Sequence, residues 1–276
     1  MNTEKSIFDN FNKTIWSKFH KAIREYKLIE DGDRIAVCIS GGKDSMLMAK
    51  CIQMLQKHGT YDFSAEYIVM NPGYTEKNLD KILANAQALG LDVKVFDTKI
   101  FESADKAEKH PCFLCARLRR GFLYKKAQEL NCNKIALGHH FDDVIETILM
   151  GMLYGSQIQT MMPKLHSENY KGVQLIRPLY LIRENDVIEW AKFNQLEFIR
   201  CACRVTEKIG EGSSKRAEIK NLLAQLRKTN PSVDMNIFRS VENVNLQTLI
   251  SYHLGNDYHH FLDIYDEGLS IKGTKN

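Results

Sequence analysis

Residues 40–45 combine two hydroxyls, two glycines, a lysine and an aspartate within six positions. They read Ser40-Gly41-Gly42-Lys43-Asp44-Ser45 and directly follow an apolar run, Ile35–Ile39. Glycines let a backbone approach a ligand closely, and the N–H groups at a helix N-terminus attract anions. Together with the charge of Lys43, these features predict a phosphate-binding loop.

The segments on either side of the loop support that interpretation. Ile35–Ile39 is typical of a buried strand, and Met46–Leu55 is typical of a helix. The order of residues differs from the G-x-x-x-x-G-K-[ST] of a Walker A loop. It resembles the PP-loop of the ATP-pyrophosphatases, which cleave ATP between the α- and β-phosphates and activate a substrate oxygen as its adenylate. The resemblance implies that residues 40–45 bind ATP, with Lys43 and Asp44 as catalytic residues.

A second polar cluster, Gly138-His139-His140-Phe141-Asp142-Asp143, follows a short apolar segment at Lys134–Leu137. Carboxylates are ligands that Mg²⁺ prefers, so the two aspartates are candidates for holding Mg²⁺ on the phosphates of ATP. His139 is a candidate hydrogen-bond partner of phosphate. The alternative is a helix capped by Asp142, with two incidental histidines.

The third cluster is a cysteine pair, Cys112 and Cys115, at the start of a predicted helix after a proline. A helix N-terminus favours thiolates. The C-x-x-C spacing fits a thioredoxin-like redox pair, half of a zinc site, or part of an iron–sulfur site. A four-cysteine zinc site would add Cys201 and Cys203, and a [4Fe–4S] cluster would need only three of the four thiols. Burial of all four thiols in a core is the remaining interpretation.

Composition limits the classes of protein to which the chain can belong. Of 276 residues, 44% are hydrophobic and 26% are charged, as in soluble globular proteins. No apolar run reaches the roughly 18 residues of a membrane span, and the polar N-terminus is not a secretory signal. We therefore expect a cytoplasmic protein without a membrane partner. Its seven cysteines then point to metal or redox chemistry rather than disulfides.

The net charge is +4, which permits a nucleic-acid partner without requiring one. Basic residues cluster in two predicted helices, at Arg117, Arg119, Arg120, Lys125 and Lys126, and at Lys215, Arg216, Lys220, Arg227 and Lys228. Such runs are most often solvated helix faces. Since one run directly follows the cysteine pair, a surface that binds the tRNA backbone is the alternative.

Alternating strands and helices must position these clusters. We predict strands at Ile35–Ile39, Phe63–Met70, Asp92–Phe96 and Lys134–Leu137, with helices at residues 5–28, Met46–Leu55, Thr75–Leu89, Phe113–Leu130 and Asp142–Tyr154. This alternation predicts an α/β fold with a doubly wound parallel sheet. Ligands of such sheets bind at the carboxyl ends of strands, where Ser40, Met70 and Gly138 fall.

The pattern changes after Tyr154. We predict a hairpin from Thr160–Leu165 and Val173–Arg177, a strand at Glu197–Ile199, and helices at Arg183–Asn194, Ser214–Lys228 and Val241–Leu254. Asp97–Pro111 is predicted to be a loop. The expected division is an N-terminal helix at 1–30, a nucleotide domain at 31–200, and a helical C-terminal extension at 201–276.

Taken together, these residues resemble the tRNA 2-thiocytidine synthetases of the TtcA type. The resemblance covers roughly residues 10–250 and is carried by the segments 29–35, 40–45, 112–121, 136–140, 142–143, 162–165, 176–179 and 183–184. It implies an adenine nucleotide α-hydrolase-like fold. The implied enzyme is an ATP-dependent tRNA sulfurtransferase, which adenylates the 2-oxygen of a cytidine in the anticodon loop and replaces it with sulfur.

The resemblance also implies cofactors and ligands. ATP would lie on residues 40–45, Met70, Gly138, His139 and Asp143, with Mg²⁺ held by Asp44 and Asp143. A [4Fe–4S] cluster on Cys112, Cys115 and Cys201 would carry the sulfur, and the two cysteines of the pair count as catalytic. The expected partners are tRNA and a sulfur donor such as a cysteine desulfurase or free sulfide, and we expect a homodimer.

One segment departs from the family pattern. The family places its third ligand in a Pro-Cys-x-x-Cys stretch, whereas this chain has Arg200-Cys201-Ala202-Cys203-Arg204. Cys203 therefore competes with Cys201, and another base such as uridine is an alternative substrate. The related 2-thiouridine synthetases carry a cysteine-rich zinc module at the N-terminus, which the cysteine-free first helix here disfavours. A zinc-stabilised, ATP-dependent tRNA-binding or amidating protein is the alternative from another class.

Overall fold

Six strands form the main sheet of the protein. A computed structural model describes residues 3–106, 111–199 and 214–265, with the side chains of all of them except Pro111 and Cys112. The strands of this sheet are β1 (Arg34–Ile39), β2 (Ser64–Asn71), β3 (Val93–Asp97), β4 (Lys134–Ala136), β5 (Lys164–His166) and β6 (Gln174–Ile176).

Helices follow most of the strands. They are α1 (Thr3–Asp9), α2 (Ser17–Glu25), α3 (Lys43–His58), α4 (Glu76–Ala88), α5 (Ile100–Asp105), α6 (Pro111–Glu129), α7 (Phe141–Gly155), α8 (Glu184–Phe193), α9 (Lys215–Thr229) and α10 (Val233–Ser240). The helix predicted over residues 5–28 is interrupted, because a π-helical segment at Asn12–Trp16 separates α1 from α2.

The strand order β3-β2-β1-β4-β6-β5 makes the sheet doubly wound. All neighbouring pairs are parallel except β5 and β6, so the predicted hairpin forms the antiparallel edge. The chain moves outward from β1 to β3 and then returns to place β4 on the other side of β1. The crevice between the carboxyl ends of β1 and β4 is therefore the switch point, where ligands of such sheets bind. The predicted α/β fold class is confirmed.

Strand β1 divides its side chains between two cores. Ile35, Val37 and Ile39 join the core beneath α3, α4 and α8. Ala36 and Cys38 face the opposite layer, where α6 packs through Tyr124 and Ala127. Because residues of a strand alternate between faces, a continuous apolar run is what a sheet covered by helices on both faces requires. The loop helix α3 and the cysteine helix α6 thus cover opposite faces of one sheet.

Three predicted segments are wrong. Asp97–Pro111 contains helix α5 rather than only loop, and Glu197–Ile199 forms no strand. The segment predicted as a helix at Val241–Leu254 ends in strand β7 (Ser251–Leu254), which pairs with β8 (Asp257–His260) in an antiparallel hairpin. Several of its apolar residues, such as Ile250 and Leu254, are exposed, and none is fully buried, so helical spacing there did not reflect a buried face.

Two compact units divide the chain, at 1–223 and 224–276. The second unit holds the end of α9, then α10 and the β7–β8 hairpin. Within it the Nε of Arg227 lies 3.0 Å from a carboxylate oxygen of Asp234, which ties α9 to α10. The predicted boundaries at residues 30 and 200 remain predictions. In the described residues, no helix has the length and apolarity needed to span a membrane.

The backbone after β4 approaches the first turn of α3 unusually closely. A Cβ placed on Gly138 would lie 2.9 Å from the backbone nitrogen of Ser45 and 3.0 Å from the carbonyl carbon of Asp44. Real Cβ atoms are essentially never this close to backbone, so only glycine fits without a displacement of α3. The contact brings the two predicted polar clusters together at the switch point.

We expect Gly138→Ala to destabilise the protein by about 1–3 kcal/mol, the usual cost of overpacking. The shift should fall on the first turn of α3, and urea denaturation at an unchanged m-value should report it. The control is Gly155→Ala at the end of α7, where a Cβ would meet only one atom, at 3.9 Å. Equal stability of the two variants would show that α3 accommodates a side chain at residue 138.

Candidate active site

Residues 40–45 form a compact turn held by its own hydroxyls. The Ser45 hydroxyl accepts a hydrogen bond from the backbone N–H of Ser40 at 3.1 Å and donates to the carbonyl of Gly42 at 3.0 Å. The hydroxyl of Tyr74, in the turn after β2, donates to the Ser40 carbonyl at 3.3 Å. The turn after β2 thus helps to fix the loop after β1.

The two glycines of the loop have different roles. Gly41 has φ +83°, and a Cβ there would lie 2.5 Å from Ile82 and 2.9 Å from Ile199, so a side chain would meet strain and a clash. Gly42 is the N-cap of α3, and it has no side chain to accept from the first-turn N–H groups. In the described part of the chain no N-cap side chain accepts from these groups, which suits an external acceptor, as in helix N-termini that bind anions.

A cavity of about 270 Å³ opens beside the loop at the switch point. Seven of the predicted nucleotide-binding residues line it, and these are Ser40, Asp44, Ser45, Met70, Gly138, His139 and Asp143. Gly41, Gly42 and Lys43 belong to the loop but do not line this cavity. Arg119 and Leu123 of α6 complete the wall, so the helix that carries the cysteine pair borders the same space.

Lys43 lies between two carboxylates. Its Nζ lies 3.1 Å from Asp44 and 3.1 Å from the Oε1 of Glu184, at the start of α8. Burial alone would lower the pKa of Lys43, but these carboxylates outweigh it and raise that pKa. The lysine therefore remains a cation, and its partners are acceptors that a phosphate can replace.

His140 links the two aspartates that were predicted to hold Mg²⁺. Its Nε2 lies 3.7 Å from Asp44, and its Nδ1 lies 3.4 Å from Asp143. His140 is also the N-cap of α7, in a reciprocal capping box with Asp143. The prediction that Asp142 caps this helix is wrong, because its carboxylate instead accepts the backbone N–H of Glu184 at 2.7 Å.

His139 is a neutral residue of the cavity wall. Burial, aided by the charge of Arg177, lowers its pKa to about 4. Near pH 7 the imidazole therefore presents one N–H donor and one acceptor nitrogen. A hydrogen bond from His139 to a phosphate would come from this neutral ring rather than from an imidazolium.

Helix α9 joins the site through an acid–base cluster on α7 and α8. Glu146 is buried, and its carboxylate lies 3.3 Å from Arg216 and 3.7 Å from Lys220. Lys220 also pairs with Glu184 at 3.1 Å, and Arg216 with Asp143 at 3.5 Å. Burial raises the pKa of Glu146 despite these cations. Lys43 and α9 therefore share one carboxylate, that of Glu184.

The cysteines are only partly within the described residues. Cys115 is half-buried on α6, one turn before Arg119 and on the same face, because residues four apart on a helix are neighbours. The side chain of Cys112, and both Cys201 and Cys203, lie outside the described residues. Within the described ranges, no three His, Cys, Asp or Glu side chains are grouped as metal ligands. Cys38 lines the cavity, but burial raises the pKa of its thiol and keeps it protonated.

From the sequence, Glu184 had no role in the site, and Lys220 and Arg119 were assigned only to solvated helix faces or a tRNA-binding surface. Glu184 follows β6, whose carboxyl end lies at the same edge as that of β4. Because the β5–β6 segment was predicted only as a hairpin, the position of Glu184 at this edge of the sheet was not predicted. Arg119 and Lys220 were noted only as members of basic runs, and helical spacing from Cys115 is the signal that would have singled out Arg119.

Three comparisons with known proteins agree with this geometry. The PP-loop domain model named ATP_bind_3 matches residues 11–208. A tRNA-cytidine(32) 2-sulfurtransferase of Coxiella burnetii is 38% identical over 240 residues, covering 86% of this chain and 91% of that protein. One from Geobacter metallireducens is 33% identical, covering 85% and 91%. The U34-tRNA thiolase NcsA from Methanococcus maripaludis, solved with its [4Fe-4S] cluster, superposes with TM-score 0.64 at 22% identity, covering 94% and 89% of the two chains, and shows the shared fold.

The paired state of Glu184 predicts a specific dependence on pH. Burial would raise its pKa, but Lys43, His140 and Lys220 outweigh burial and lower the pKa from 4.5 to about 2. Its ion pairs therefore stabilise the fold above pH 4.5, and the stabilisation is lost as pH falls towards 2. Glu184→Gln should cost about 2 kcal/mol at pH 6, in line with hydrogen bonds to charged groups.

The measurement is the free energy of unfolding of both proteins between pH 2 and pH 6. The difference between them should shrink towards zero as pH falls. Glu197→Gln is the control, since the Glu197 side chain is 86% exposed. A difference that stays constant across this range would show that Glu184 acts by shape rather than by charge.

Proposed function

The chain belongs to the PP-loop domain family and to the tRNA-cytidine(32) 2-sulfurtransferases within it, and from this membership we propose that it thiolates tRNA. In the proposed reaction, ATP activates the 2-oxygen of a cytidine, and sulfur replaces that oxygen. The observation that carries the proposal is one cavity lined by the loop, by the end of β2, by the residues after β4, and by α6. This cavity adjoins both the phosphate loop and the cysteine helix.

The loop is the proposed site of the ATP phosphates. A phosphate would take over the hydroxyl donors of Ser40 and Ser45, which now bond within the turn. The backbone N–H groups at Gly42 and the N-terminus of α3 add partial positive charge. A phosphate oxygen would replace Asp44 or Glu184 as the partner of Lys43. Mg²⁺ is proposed to bind Asp44 and Asp143, because both carboxylates line the cavity and lie against opposite nitrogens of His140.

The first chemical step forms one bond and breaks one bond. The 2-oxygen of the base attacks the α-phosphorus of ATP, and pyrophosphate leaves with the electron pair of the P–O bond. Lys43 offsets the charge that develops on the phosphates, as preorganised cations do in such transition states. The product is a base adenylated at oxygen, whose C2 is open to a sulfur nucleophile that displaces AMP.

Thiol chemistry suits the second step. Cys115 lies on the α6 face that continues to Arg119 in the cavity wall, and thiolates are the usual ligands of iron–sulfur clusters. We propose Cys112, Cys115 and Cys201 as ligands, with Cys203 as the competitor for third place. When bound on these thiols, a [4Fe–4S] cluster would carry the sulfide that a donor supplies. Cys201 is two residues from Ile199, the side chain that lies beside Gly41.

The identity of the modified base and the cellular location of the reaction are proposed on different grounds. Cytidine is favoured over uridine because the relatives at 33–38% identity are cytidine enzymes, whereas similarity to the uridine thiolase shows only the fold. We propose a cytoplasmic reaction, because ATP and tRNA are found together there. A donor such as a cysteine desulfurase or free sulfide, and a homodimer, remain predictions.

We expect tRNA-dependent ATP turnover to yield AMP and pyrophosphate in equal amounts. Lys43→Ala should lower that turnover about 100-fold or more, the usual loss when a group that stabilises transition-state charge is removed. Lys57→Ala is the control, because Lys57 belongs to the same helix but is exposed and pairs with Glu4. Chromatography of radiolabelled nucleotides is the measurement. ADP as the sole product would refute the proposed chemistry.

Single cysteine variants, prepared anaerobically, test the metal centre. Cys112→Ala, Cys115→Ala and Cys201→Ala should each lose iron and thiolation, while Cys203→Ala should retain both. Iron and zinc analysis, with mass spectrometry of the tRNA nucleosides, provides the measurements. If Cys203 is essential and Cys201 is not, the third ligand is misassigned but the reaction stands. Zinc held by all four thiols, without iron, would exclude the proposed sulfur carrier.

A further inference from the structure

A second concave surface lies on a different face of α6. It is a groove of about 740 Å³ between α6 and the turn from β5 to β6, and we call it the α6 groove. Arg117, Arg120 and Phe113 line its helix side, and His166, Glu168 and Asn169 line its turn side. Its volume is within the range of sites that bind small ligands.

Two guanidinium groups give the groove its charge. Arg117 and Arg120 are exposed, and among the residues that the structure describes neither pairs with a carboxylate. Arg34 and Arg216, by contrast, each have a carboxylate partner. Guanidinium groups suit phosphate recognition because their planar donors match two phosphate oxygens at once. The helix side of the α6 groove is therefore suited to a phosphodiester.

Aromatic rings provide the second element of recognition. Phe113 is 70% exposed at the rim of the groove. Tyr124 and Tyr170 stack beneath, with ring centroids 5.0 Å apart and planes within 9°, and the hydroxyl of Tyr170 donates to the carbonyl of Gly121. The rings join the turn to α6 and leave Phe113 open to a ligand. Exposed aromatic rings beside arginines are typical of surfaces that bind single-stranded nucleic acid.

The turn side presents groups that can read the edge of a base. Glu168 offers an acceptor to an exocyclic amine, and the amide of Asn169 offers both a donor and an acceptor. Ser167 is committed to the turn, because its hydroxyl accepts the backbone N–H of Tyr170 at 3.1 Å. One carboxylate against two guanidinium groups leaves the groove with net positive charge.

The α6 groove adjoins the active-site cavity through α6 itself. Arg119 lines the cavity and Arg120 lines the groove. Their α-carbons are about 3.8 Å apart, as in any trans peptide. An RNA strand whose reacting base lies in the cavity would therefore cross only the width of α6 before its next nucleotide reaches the groove.

We propose that the α6 groove binds an unpaired nucleotide of the RNA that flanks the base being modified. This inference rests on the proposed function. The phosphate would pair with Arg117 and Arg120, the base would stack on Phe113, and the residues of the turn would contact its edge. Sequence-specific recognition of RNA uses such splayed, unstacked bases in loops.

Kinetics and binding of unmodified tRNA test the groove. Arg117→Gln with Arg120→Gln should raise the KM for tRNA about tenfold or more, leaving kcat and the KM for ATP unchanged. Losing two phosphate contacts should also reduce the slope of log Kd against log salt by about 1.4, at roughly 0.7 per contact with a single strand. Lys125→Gln is the matched control, since Lys125 is an exposed cation of α6 that lines neither the groove nor the cavity.

The aromatic contact has its own pair of variants. Phe113→Leu should weaken tRNA binding at least fivefold, whereas Phe113→Tyr should retain it, because stacking is worth about 1–3 kcal/mol per base. Iron analysis checks that neither change affects the neighbouring cysteines. In tRNAs made abasic at one loop position at a time, one position should weaken binding to the wild type but not to Phe113→Leu.

These experiments test the role of the α6 groove separately from the proposed thiolation reaction. Wild-type values in the arginine and Phe113→Leu variants, with thiolation intact, would exclude the groove as the nucleotide site. If the wild type binds tRNA without thiolating it, the proposed function is wrong, and the salt slope and abasic series still decide the groove. Loss of affinity in Lys125→Gln equal to that of the double variant would reduce the effect to overall charge.

Discussion

The backbone of Gly138 lies against the first turn of α3, and the candidate active site depends on this contact. Strand β4 supplies the polar cluster 138–143, and β1 supplies the loop 40–45, on neighbouring strands of a parallel sheet. Parallel pairing brings their carboxyl ends to one edge, but only the missing side chain at Gly138 lets the two turns touch. The two turns line one cavity, and His140 contacts Asp44 of the loop as well as Asp143 of its own turn.

Desolvated charges are the second organising feature. Around Glu146 and Glu184, four carboxylates and four cations or histidines form a partly buried cluster. Burying a single charge costs several kcal/mol, so each carboxylate is retained with a partner. The directions of the pKa shifts follow: burial dominates at Glu146, whereas Lys43 and its neighbours dominate at Glu184. The cations of this cluster can therefore exchange a carboxylate partner for a phosphate, but removal of a partner without replacement is costly.

The sequence was most informative where chemistry and geometry coincide. Residues 40–45 need glycine for close approach, and strand and helix patterns flank them, so loop, strand and helix were all predicted. Residue spacing gave wrong predictions where tertiary contacts determine the position of a side chain. Asp142 has the residue type of a cap, yet it bonds to Glu184, which comes from α8. Ile250 and Leu254 have helical spacing but form part of an exposed hairpin segment. Contacts between residues 40 or more positions apart leave no local signal.

Glu184 makes the phosphate loop and α9 thermodynamically dependent on each other. Its two carboxylate oxygens bind Lys43 and Lys220 separately, so a change at one lysine alters the charge that the other one meets. A phosphate that draws Lys43 away leaves Glu184 to Lys220 and strengthens the attachment of α9. Since coupling free energies are reciprocal, an anion bound at Lys220 must change the affinity of the loop for its phosphate by the same factor. One carboxylate thereby couples the charge balance of the phosphate loop to that of α9.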